Sequence, residues 1–206
     1  MIELSVADAV DRAATLATGG RTMLGLVGCP GSGKSTLSAA ITARVASSVV
    51  VPMDGFHMLN DDLIRLGRRD RKGAPDTFDV ARYVALLERV RRQDATHVVT
   101  APRYDRAASA PVPDAITVER DIALVVTEGN YLLLEYEPWS AIRPLLDEVW
   151  FVDVDEAVRM PRLVARHIEF GKTPDEAVEW VMRSDEANAL VVAATRRRAD
   201  AVVRMD

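Results

Sequence analysis

Short apolar segments alternate with amphipathic segments along most of this 206-residue chain. Four runs rich in β-branched residues have the length of strands, and three of them are almost wholly apolar, as in strands covered on both faces. They span residues 23–27, 48–53, 122–127 and 149–154, with 201–205 as a weaker fifth candidate. Helical periodicity covers residues 34–46, 80–92, 139–146, 156–170 and 174–197. This alternation predicts a parallel sheet with helices on both faces.

The alternation breaks down in two places. Residues 1–21 have the pattern of an amphipathic helix ended by Gly19 and Gly20. Residues 54–121 separate the second strand from the next buried strand, a longer segment than a simple crossover needs. Because it follows the carboxyl end of a strand, where open α/β sheets bind ligands, we expect it to hold a second substrate. We interpret residues 1–206 as one domain.

Composition and charge exclude several classes of protein. The net charge of −5 gives no basic field that would attract nucleic acid or an anionic membrane. No apolar run approaches the length of a membrane span. Acidic residues in the first 21 positions are atypical of a signal peptide, and the single cysteine, Cys29, cannot form an intramolecular disulfide. We therefore expect a cytoplasmic protein that binds neither nucleic acid nor membrane.

Residues 28–36 follow the first predicted strand and open the next predicted helix. They read G-C-P-G-S-G-K-S-T, which matches the phosphate-binding pattern G-x-x-x-x-G-K-S. Free backbone N–H groups and the helix dipole create an anion site there, whereas a plain glycine-rich turn is the alternative. Lys34 would reach the terminal phosphates of a nucleotide, and the Ser35 hydroxyl would ligate Mg²⁺. The expected phosphate contacts are Gly31, Ser32, Gly33, Lys34, Ser35 and Thr36.

Two carboxylates follow predicted strands and should face the same crevice as this loop. Asp54 ends the second strand, where it could take a proton from an attacking hydroxyl, ligate Mg²⁺, or form an Asx-turn before Gly55. Glu128 ends the third run, where P-loop proteins hold Mg²⁺ directly or through water. Because Asp is the usual residue there, Glu128 favours a water-bridged role or a contact to the substrate hydroxyl; a helix-starting carboxylate is the alternative.

A cationic stripe follows the fourth predicted strand. Arg159, Arg162 and Arg166 are spaced i, i+3 and i+7 on one helix, with Lys172 just beyond, so they share a face. Guanidinium groups in such a lid, over about residues 159–173, would stabilise the charge of a transferring phosphoryl group. A solvated face paired with nearby glutamates is the alternative. We favour the catalytic role for Arg162 and Arg166 and leave Arg159 between the two interpretations.

Other polar residues could contact the second substrate. Tyr104 and Arg106 follow a predicted strand inside the insertion. His57 lies three residues after Asp54, although a lone histidine is more often structural. The basic run 68–72 is more typical of a solvated loop than of a site. Packing explains the three tryptophans better than stacking on a base. They are Trp139, Trp150 and Trp180.

Taken in order, these motifs resemble the phosphoribulokinase/uridine kinase/pantothenate kinase group. The matching segments are G-C-P-G-S-G-K-S-T, M-D-G-F-H, R-K-G-A-P-D-T-F-D, P-R-Y-D and T-E-G-N-Y-L-L-L, followed by the arginine-bearing lid. The resemblance spans residues 21 to about 172. It is strongest to the bacterial branch named nucleoside/nucleotide kinase family or fructose-transport-system kinase. The P-loop is common to many families, whereas the other segments are far more specific.

The resemblance implies a three-layer α/β P-loop fold with a five-stranded parallel sheet, helices on both faces and an acceptor-binding insertion. It also implies ATP and Mg²⁺ as cofactors, and transfer of the γ-phosphoryl group to a hydroxyl of a small molecule. The positions that match the family's functional residues are Lys34 and Ser35 for phosphate and magnesium, Asp54 for the base, Tyr104 for the substrate pocket, Glu128 for the third-strand acid, and Arg162 and Arg166 for the lid.

Two departures from the family pattern bear on the acceptor. Uridine kinases read roughly F-D-H-P-D-A-F-D where residues 72–79 read K-G-A-P-D-T-F-D, so Gly73 stands in place of a ribose-binding aspartate. The histidine that follows the Y-D motif of uridine kinases is missing from residues 104–109, and Arg106 stands where pantothenate kinases have a histidine. Arg106 together with Lys72 suits an anionic or strongly polar acceptor.

Two other classes of P-loop protein remain open. A nucleotide-switch GTPase or metallochaperone usually carries N-K-x-D after a strand, whereas the fourth predicted strand here ends V-D-V-D. A P-loop ATPase module would serve a transporter or a nucleic-acid motor, but no L-S-G-G-Q signature is present and the acidic balance disfavours a nucleic-acid track. The sequence does not identify the acceptor, the groups that contact the nucleotide base, or the oligomeric state, for which we consider a homodimer.

Overall fold

A computed structural model describes residues 1–93 and 98–205, so residues 94–97 of the predicted insertion and residue 206 lie outside it. The strands, numbered in chain order, are β1 (Ile2–Leu4), β2 (Thr22–Val27), β3 (Ser48–Pro52), β4 (Val99–Asp105), β5 (Ala110–Val118), β6 (Leu124–Gly129), β7 (Glu148–Val154) and β8 (Ala201–Met205). The α-helices are α1 (Val6–Leu16), α2 (Lys34–Arg44), α3 (Asn60–Arg65), α4 (Val80–Arg91), α5 (Glu156–Glu169), α6 (Pro174–Trp180) and α7 (Glu186–Ala193).

Six of the described strands form one parallel sheet in the spatial order β1-β8-β7-β2-β6-β3. Side chains of β2 alternate between its faces, as a strand requires. Leu24 and Leu26 pack with Leu37 of α2 on one face, whereas Met23 packs with Tyr83 of α4 on the other. This confirms the predicted three-layer α/β architecture.

The predicted strand count was wrong, because the sheet has a sixth strand at its edge. Ile2–Leu4 pairs in parallel with β8, with Ile2 opposite Ala201, where the periodicity placed the start of a helix. The helix begins only at Val6 because Ser5 caps it: the Ser5 hydroxyl accepts from the Asp8 backbone N–H at 3.2 Å. A strand of three residues carries too little pattern to be separated from the helix that follows it.

Two of the predicted helices are interrupted. Residues 139–146 form two 3₁₀ turns, Trp139–Ala141 and Arg143–Leu145, because Pro144 cannot donate a backbone hydrogen bond inside a continuous helix. Residues 174–197 divide into α6, a π-helical turn over Val181–Asp185, and α7. The π turn contains one residue more than an α-helical turn, and this changes which side chains of the following helix face inward.

The predicted insertion contains a hairpin that lies outside the main sheet. β4 and β5 pair antiparallel, with a register shift between Ala101 and Arg103. The hairpin packs against the 3₁₀ turn Met53–Phe56 that directly follows β3: a Cβ on Gly55 would lie 2.3 Å from the Pro102 carbonyl oxygen. The close approach allowed by this glycine brings the hairpin to the carboxyl end of the sheet.

No helix within residues 1–93 and 98–205 combines the length and the apolar character needed to cross a membrane.

Candidate active site

A cleft of about 800 Å³ opens where the carboxyl ends of the central strands meet the hairpin and α5. Parallel strands bring their following loops to one edge of a sheet, which explains why residues far apart in sequence converge here. All of the site residues predicted from the sequence line this cleft. They are Gly31, Ser32, Gly33, Lys34, Ser35, Thr36, Asp54, His57, Lys72, Tyr104, Arg106, Glu128, Arg162 and Arg166.

The loop between β2 and α2 has the conformation that its glycines allow. Gly31 and Gly33 adopt φ values of +79° and +95°, which residues with a Cβ rarely adopt. The helix α2 begins at Lys34, so its first N–H groups point into the cleft. The buried Ser32 hydroxyl has no hydrogen-bond partner among the described residues. An unsatisfied hydroxyl beside free helix N–H groups fits a bound phosphate group.

Gly28 is fixed by close packing rather than by its dihedral angles. A Cβ there would lie 2.5 Å from both the Val152 carbonyl oxygen and the Ser32 hydroxyl. We expect Gly28→Ala to lower the free energy of unfolding in urea by about 1–3 kcal/mol, because backbone must move to admit the methyl group. Gly19→Ala is the matched control, since nothing lies within 4 Å of its added Cβ. Equal stability of the two variants would contradict this packing argument.

Lys34 is held by three oxygen atoms. Its Nζ donates to the carbonyl oxygens of Gly28 at 2.8 Å and Cys29 at 3.1 Å, and to Asn130 Oδ1 at 2.8 Å. Loss of contact with water lowers the pKa of Lys34 to about 8, although the carboxylates of Glu128 and Asp54 oppose this shift. The ammonium group is thus poised beside the phosphate-binding loop, and a bound phosphate would favour its charged form.

Glu128 lies beside the two serines of α2. Ser35 Oγ donates to Glu128 Oε1 at 2.9 Å, and Ser38 Oγ donates to Oε2 at 3.2 Å. Desolvation raises the pKa of Glu128, although these hydrogen bonds and Lys34 act in the opposite direction. The residue is inside β6, which runs to Gly129, and not after the strand or at a helix start as the sequence suggested.

These oxygen donors fit a magnesium ion bound partly by phosphate and water. Mg²⁺ prefers hard oxygen ligands and usually retains several water molecules. In the part of the chain that the structure describes, no group of three or more His, Cys, Asp or Glu side chains could form a complete metal cage. Ser35 and Glu128 would therefore hold the ion together with ligands from the nucleotide.

Asp54 lies in the 3₁₀ turn after β3 and lines the cleft. Oδ2 accepts from the Arg106 guanidinium at 3.2 Å. Desolvation by the cleft walls would raise the pKa of Asp54, but the charge of His57 in its protonated form and the charges of Arg106 and Lys34 outweigh it and lower the pKa. With its side chain 35% exposed to the cleft, Asp54 is an ionised carboxylate that a ligand can reach. This geometry favours a functional role over an Asx-turn.

His57 is fixed beside Asp54 as a neutral ring. Its Nδ1 lies 2.8 Å from the Asp54 carbonyl oxygen, so Nδ1 carries the proton and Nε2 can accept a hydrogen bond. The ring packs between those of Phe78 and Tyr104, with centroids 4.1 and 4.6 Å away. Burial lowers the pKa of His57, so the neutral form prevails at pH 7. Tyr104 and His57 together form one wall of the cleft.

Lys72 connects two parts of the insertion. Its Nζ donates to Asn60 Oδ1 at 2.7 Å and to the Ser109 carbonyl oxygen at 2.7 Å, and lies 5.3 Å from the centre of the Tyr104 ring. Desolvation lowers its pKa to about 8. These partners hold the turn of the β4–β5 hairpin, which carries Arg106, so Lys72 supports the pocket in addition to lining it.

The arginines of the basic run 68–72 have two different kinds of surroundings. Arg68 and Arg71 bind the Asp76 carboxylate at 3.3 and 2.7 Å. Arg69 instead lines the cleft, where it adds a cation that the sequence analysis missed. Nothing in the sequence separates it from its neighbours, because only the fold determines which arginines meet Asp76.

The three arginines of α5 have different surroundings. Arg159 is 6% exposed and donates to the Pro30 carbonyl oxygen at 3.3 Å and to Glu186 at 2.5 Å, so it supports the phosphate-binding loop from behind. Arg162 and Arg166 line the cleft, as predicted. Desolvation lowers the pKa of Arg166, and the Asp185 and Asp54 carboxylates oppose that shift. Arg159 therefore supports the loop, whereas Arg162 and Arg166 are the α5 arginines that line the cleft.

Cleft residues on α5 and on the helical segments after it were also missed by the sequence analysis. Trp180, interpreted there as a packing residue, lines the cleft, and Lys172 Nζ lies 4.4 Å from the centre of its ring. Trp139 and Trp150 are fully buried, in agreement with their predicted packing role. The other cleft residues missed in this part of the chain are His167, Phe170, Asp185 and Asn188.

Several known proteins that are similar to this chain are named as kinases. The Phosphoribulokinase / Uridine kinase family model matches residues 23–205. A Schizosaccharomyces pombe protein named "Putative uridine kinase" is 36% identical over 184 residues, or 84% of this chain and 78% of its own length. The Escherichia coli K12 protein "Uncharacterized protein YggC" is 36% identical over 191 residues, or 90% and 78%.

A solved structure has the same fold over nearly the whole chain. The "putative fructose transport system kinase" from Silicibacter sp. TM1040 superposes with a TM-score of 0.80 at 35% identity, covering 94% of this chain and 95% of that one. These similarities do not favour the switch GTPase or the ATPase module as alternatives. The family match extends over most of the sheet and all of the phosphate-binding loop. The chain belongs to the phosphoribulokinase/uridine kinase family of P-loop kinases.

Proposed function

We propose that this protein transfers the γ-phosphoryl group of ATP to a hydroxyl of a small molecule, such as a sugar, a nucleoside or a pantothenate-like acceptor. One observation carries the proposal. A single cleft contains both Lys34, in a phosphate-binding loop, and Asp54, an accessible and ionised carboxylate. A phosphate site and a base in one cleft are what phosphoryl transfer to a hydroxyl requires.

Asp54 would orient the acceptor hydroxyl and accept its proton as the oxygen attacks the γ-phosphorus. The charge on the transferring group would be stabilised by Lys34 and by Arg162 and Arg166 of α5. A magnesium ion, held by Ser35 and Glu128, would supply charge neutralisation at the phosphate oxygens. Closure of the arginine-bearing lid, over about residues 159–173, would exclude water and limit hydrolysis of ATP.

The insertion side of the cleft would bind the acceptor. His57, Tyr104, Arg106 and Glu128 supply polar contacts there, and Lys72 supports the turn beside them. The two guanidinium groups of Arg69 and Arg106 on this side favour an acceptor that is anionic or strongly polar.

The proposal also includes a cytoplasmic location and a homodimeric state. It includes no nucleic-acid partner and no membrane partner.

Removal of the Arg106 side chain should weaken acceptor binding specifically. We expect Arg106→Ala to raise the KM for the acceptor about tenfold, because a charge-assisted contact is lost, with the KM for ATP nearly unchanged. Steady-state kinetics with each substrate varied in turn would measure both values. Arg103→Ala is the matched control, since Arg103 is on the same hairpin and outside the cleft. An equal rise in both KM values would contradict an acceptor-specific role.

The proposed activity itself can be tested by ADP release in the presence of ATP and Mg²⁺. The acceptors to screen are sugars, nucleosides, hydroxy acids and vitamin alcohols. ADP release that depends on one class would support the proposal. ATP hydrolysis that no acceptor stimulates, or stabilisation against heat by GTP and not by ATP, would count against it.

A further inference from the structure

The part of the cleft lined by the π-helical turn and α7 contains two deeply buried polar side chains that the mechanism above does not use. Asp185 ends the π-helical turn and Asn188 lies on the first turn of α7. They are 8% and 7% exposed, respectively, and both line the cleft. Side chains this deeply buried keep polar groups only where a partner satisfies them.

Asn188 has no side-chain hydrogen bond to any residue in the described ranges 1–93 and 98–205. Its amide atoms are also not among the fully buried unsatisfied polar atoms, which within those ranges include only Ser32 Oγ. Because the residue lines the cleft, the small exposed part of Asn188 faces that space. An amide enclosed in this way carries one acceptor and two donor hydrogens that a ligand can satisfy.

Asp185 is oriented by its neighbour on α5. His167 Nε2 lies 2.7 Å from Asp185 Oδ2. This contact fixes one carboxylate oxygen and the orientation of the side chain. A carboxylate offers only acceptor positions, so a ligand group that binds Asp185 must bring a hydrogen-bond donor and should carry no negative charge.

The π turn places both side chains in this part of the cleft. Asp185 and Asn188 are three residues apart, which puts them on the same side of a helix. The extra residue of the π turn changes the direction in which α7 faces relative to α6, and such turns recur at functional sites. Trp180 also lines the cleft, and its ring centroid lies 6.4 Å from that of His167, the partner of Asp185.

This part of the cleft lies within electrostatic reach of the reacting groups. Asp185, Asp54 and Arg166 line the same cleft, and both carboxylates act electrostatically on the Arg166 guanidinium. A small acceptor whose reacting hydroxyl lies at Asp54 could therefore extend across the cleft towards Asp185 and Asn188.

We propose that Asp185 and Asn188 bind a second hydroxyl group of the acceptor, one that is not phosphorylated, and that they select polyhydroxylated acceptors. This inference rests on the proposed kinase activity. The polar groups of the cleft differ in chemistry: Arg69 and Arg106 favour negative or strongly polar groups, whereas Asp185 requires a hydrogen-bond donor without negative charge. The acceptor would then place its hydroxyl-bearing end against Asp185 and Asn188.

The first experiment compares acceptors that differ in one hydroxyl. ADP release by the wild-type protein would be measured with polyhydroxylated probes (D-fructose, D-ribose, uridine, glycerate) and with the monohydroxy acids glycolate and lactate. For the best polyhydroxylated probe, the analogue that lacks one non-reacting hydroxyl should have a kcat/KM at least tenfold lower, because the buried amide or carboxylate is left unpaired. Preference for glycolate or lactate would overturn the inference and leave the kinase proposal intact.

The second experiment assigns that preference to residues. Asn188→Ala should raise the KM of the best probe about tenfold and should abolish most of the discrimination against its deoxy analogue. Ser184→Ala is the matched control, because Ser184 is 7% exposed in the same π turn and lies outside the cleft lining. Asp185→Asn, which keeps the size of the side chain, should also raise this KM.

Three results would distinguish a failure of this inference from a failure of the kinase proposal. Unchanged KM and discrimination in both Asn188→Ala and Asp185→Asn would overturn the inference. Loss of ATP-induced thermal stabilisation in Asn188→Ala, with the acceptor KM unchanged, would assign the residue to the nucleotide and also overturn it. By contrast, no ADP release with any probe, in a wild-type protein that ATP stabilises against heat, would count against the kinase proposal and with it this inference.

Discussion

Replacement of Asp54 with Asn is expected to reduce kcat for acceptor-dependent ADP release by about 10²–10⁴-fold, the usual contribution of a positioned general base. The carboxamide cannot take the proton of the attacking hydroxyl, although it has nearly the same size. Binding of ATP should persist, because the phosphate-binding loop makes no direct contact with the Asp54 carboxylate, whose hydrogen-bond partner is Arg106. The measurements are steady-state ADP release and the rise in unfolding temperature with ATP.

The control for this variant is Asp61→Asn, which removes the same charge from an exposed position at the start of α3. It should leave both measurements unchanged. Because cationic neighbours lower the pKa of Asp54, the wild-type rate should fall on acidification only below the ordinary range of an aspartate. Retention of activity in Asp54→Asn would show that another group is the base, and equal loss of ATP binding would show a structural role.

Local patterns in the sequence determine the centre of this fold and the position of the phosphate site. Each of β2, β3, β6 and β7 is a short apolar run whose length and β-branched content are visible without the structure. The residues that end them then share one edge of the sheet by topology alone. For this reason Lys34, Asp54 and Glu128 could be placed in one cleft from their positions in the chain.

Features that depend on contacts between distant residues could not be predicted in this way. Lys72 contacts Ser109, which is 37 residues away, and this contact makes it a support for the hairpin. Arg159 has the same spacing pattern as Arg162 but binds Glu186, 27 residues further on, and does not line the cleft. Periodicity describes one helix at a time, so it cannot show which neighbour a helix face will meet.

The wall formed by Asp185 and Asn188 is a related case. The sequence pattern over residues 174–197 is that of one helix, and a π turn inside such a pattern has no clear signature. Single polar residues in an apolar helix are also common in surface positions. Their burial becomes visible only when α5 and the phosphate-binding loop are packed against them.

Substitution of Lys34 by Met should lower kcat/KM for ATP by about 10²–10³-fold, the effect typical of removing one donor that stabilises developing charge. The methionine side chain preserves most of the volume and removes the ammonium group. It also leaves the carbonyl oxygens of Gly28 and Cys29 without this donor, so the unfolding midpoint in urea must be measured beside the kinetics. A folded variant with wild-type kcat/KM for ATP would contradict the role of Lys34 at the phosphates.

The pH dependence of kcat/KM for ATP gives a second, independent test of the role of Lys34. The kcat/KM for ATP reports the free protein, in which Lys34 has a pKa of about 8 because it is desolvated. Since only the charged form attracts phosphate, kcat/KM for ATP should fall as the pH rises through about 8. In Lys34→Arg the guanidinium keeps its charge, so whatever activity remains should not decline in this range. Lys72→Arg is the control, because Lys72 has a similarly lowered pKa but supports the acceptor side of the cleft; the decline must persist in that variant if Lys34 is its cause.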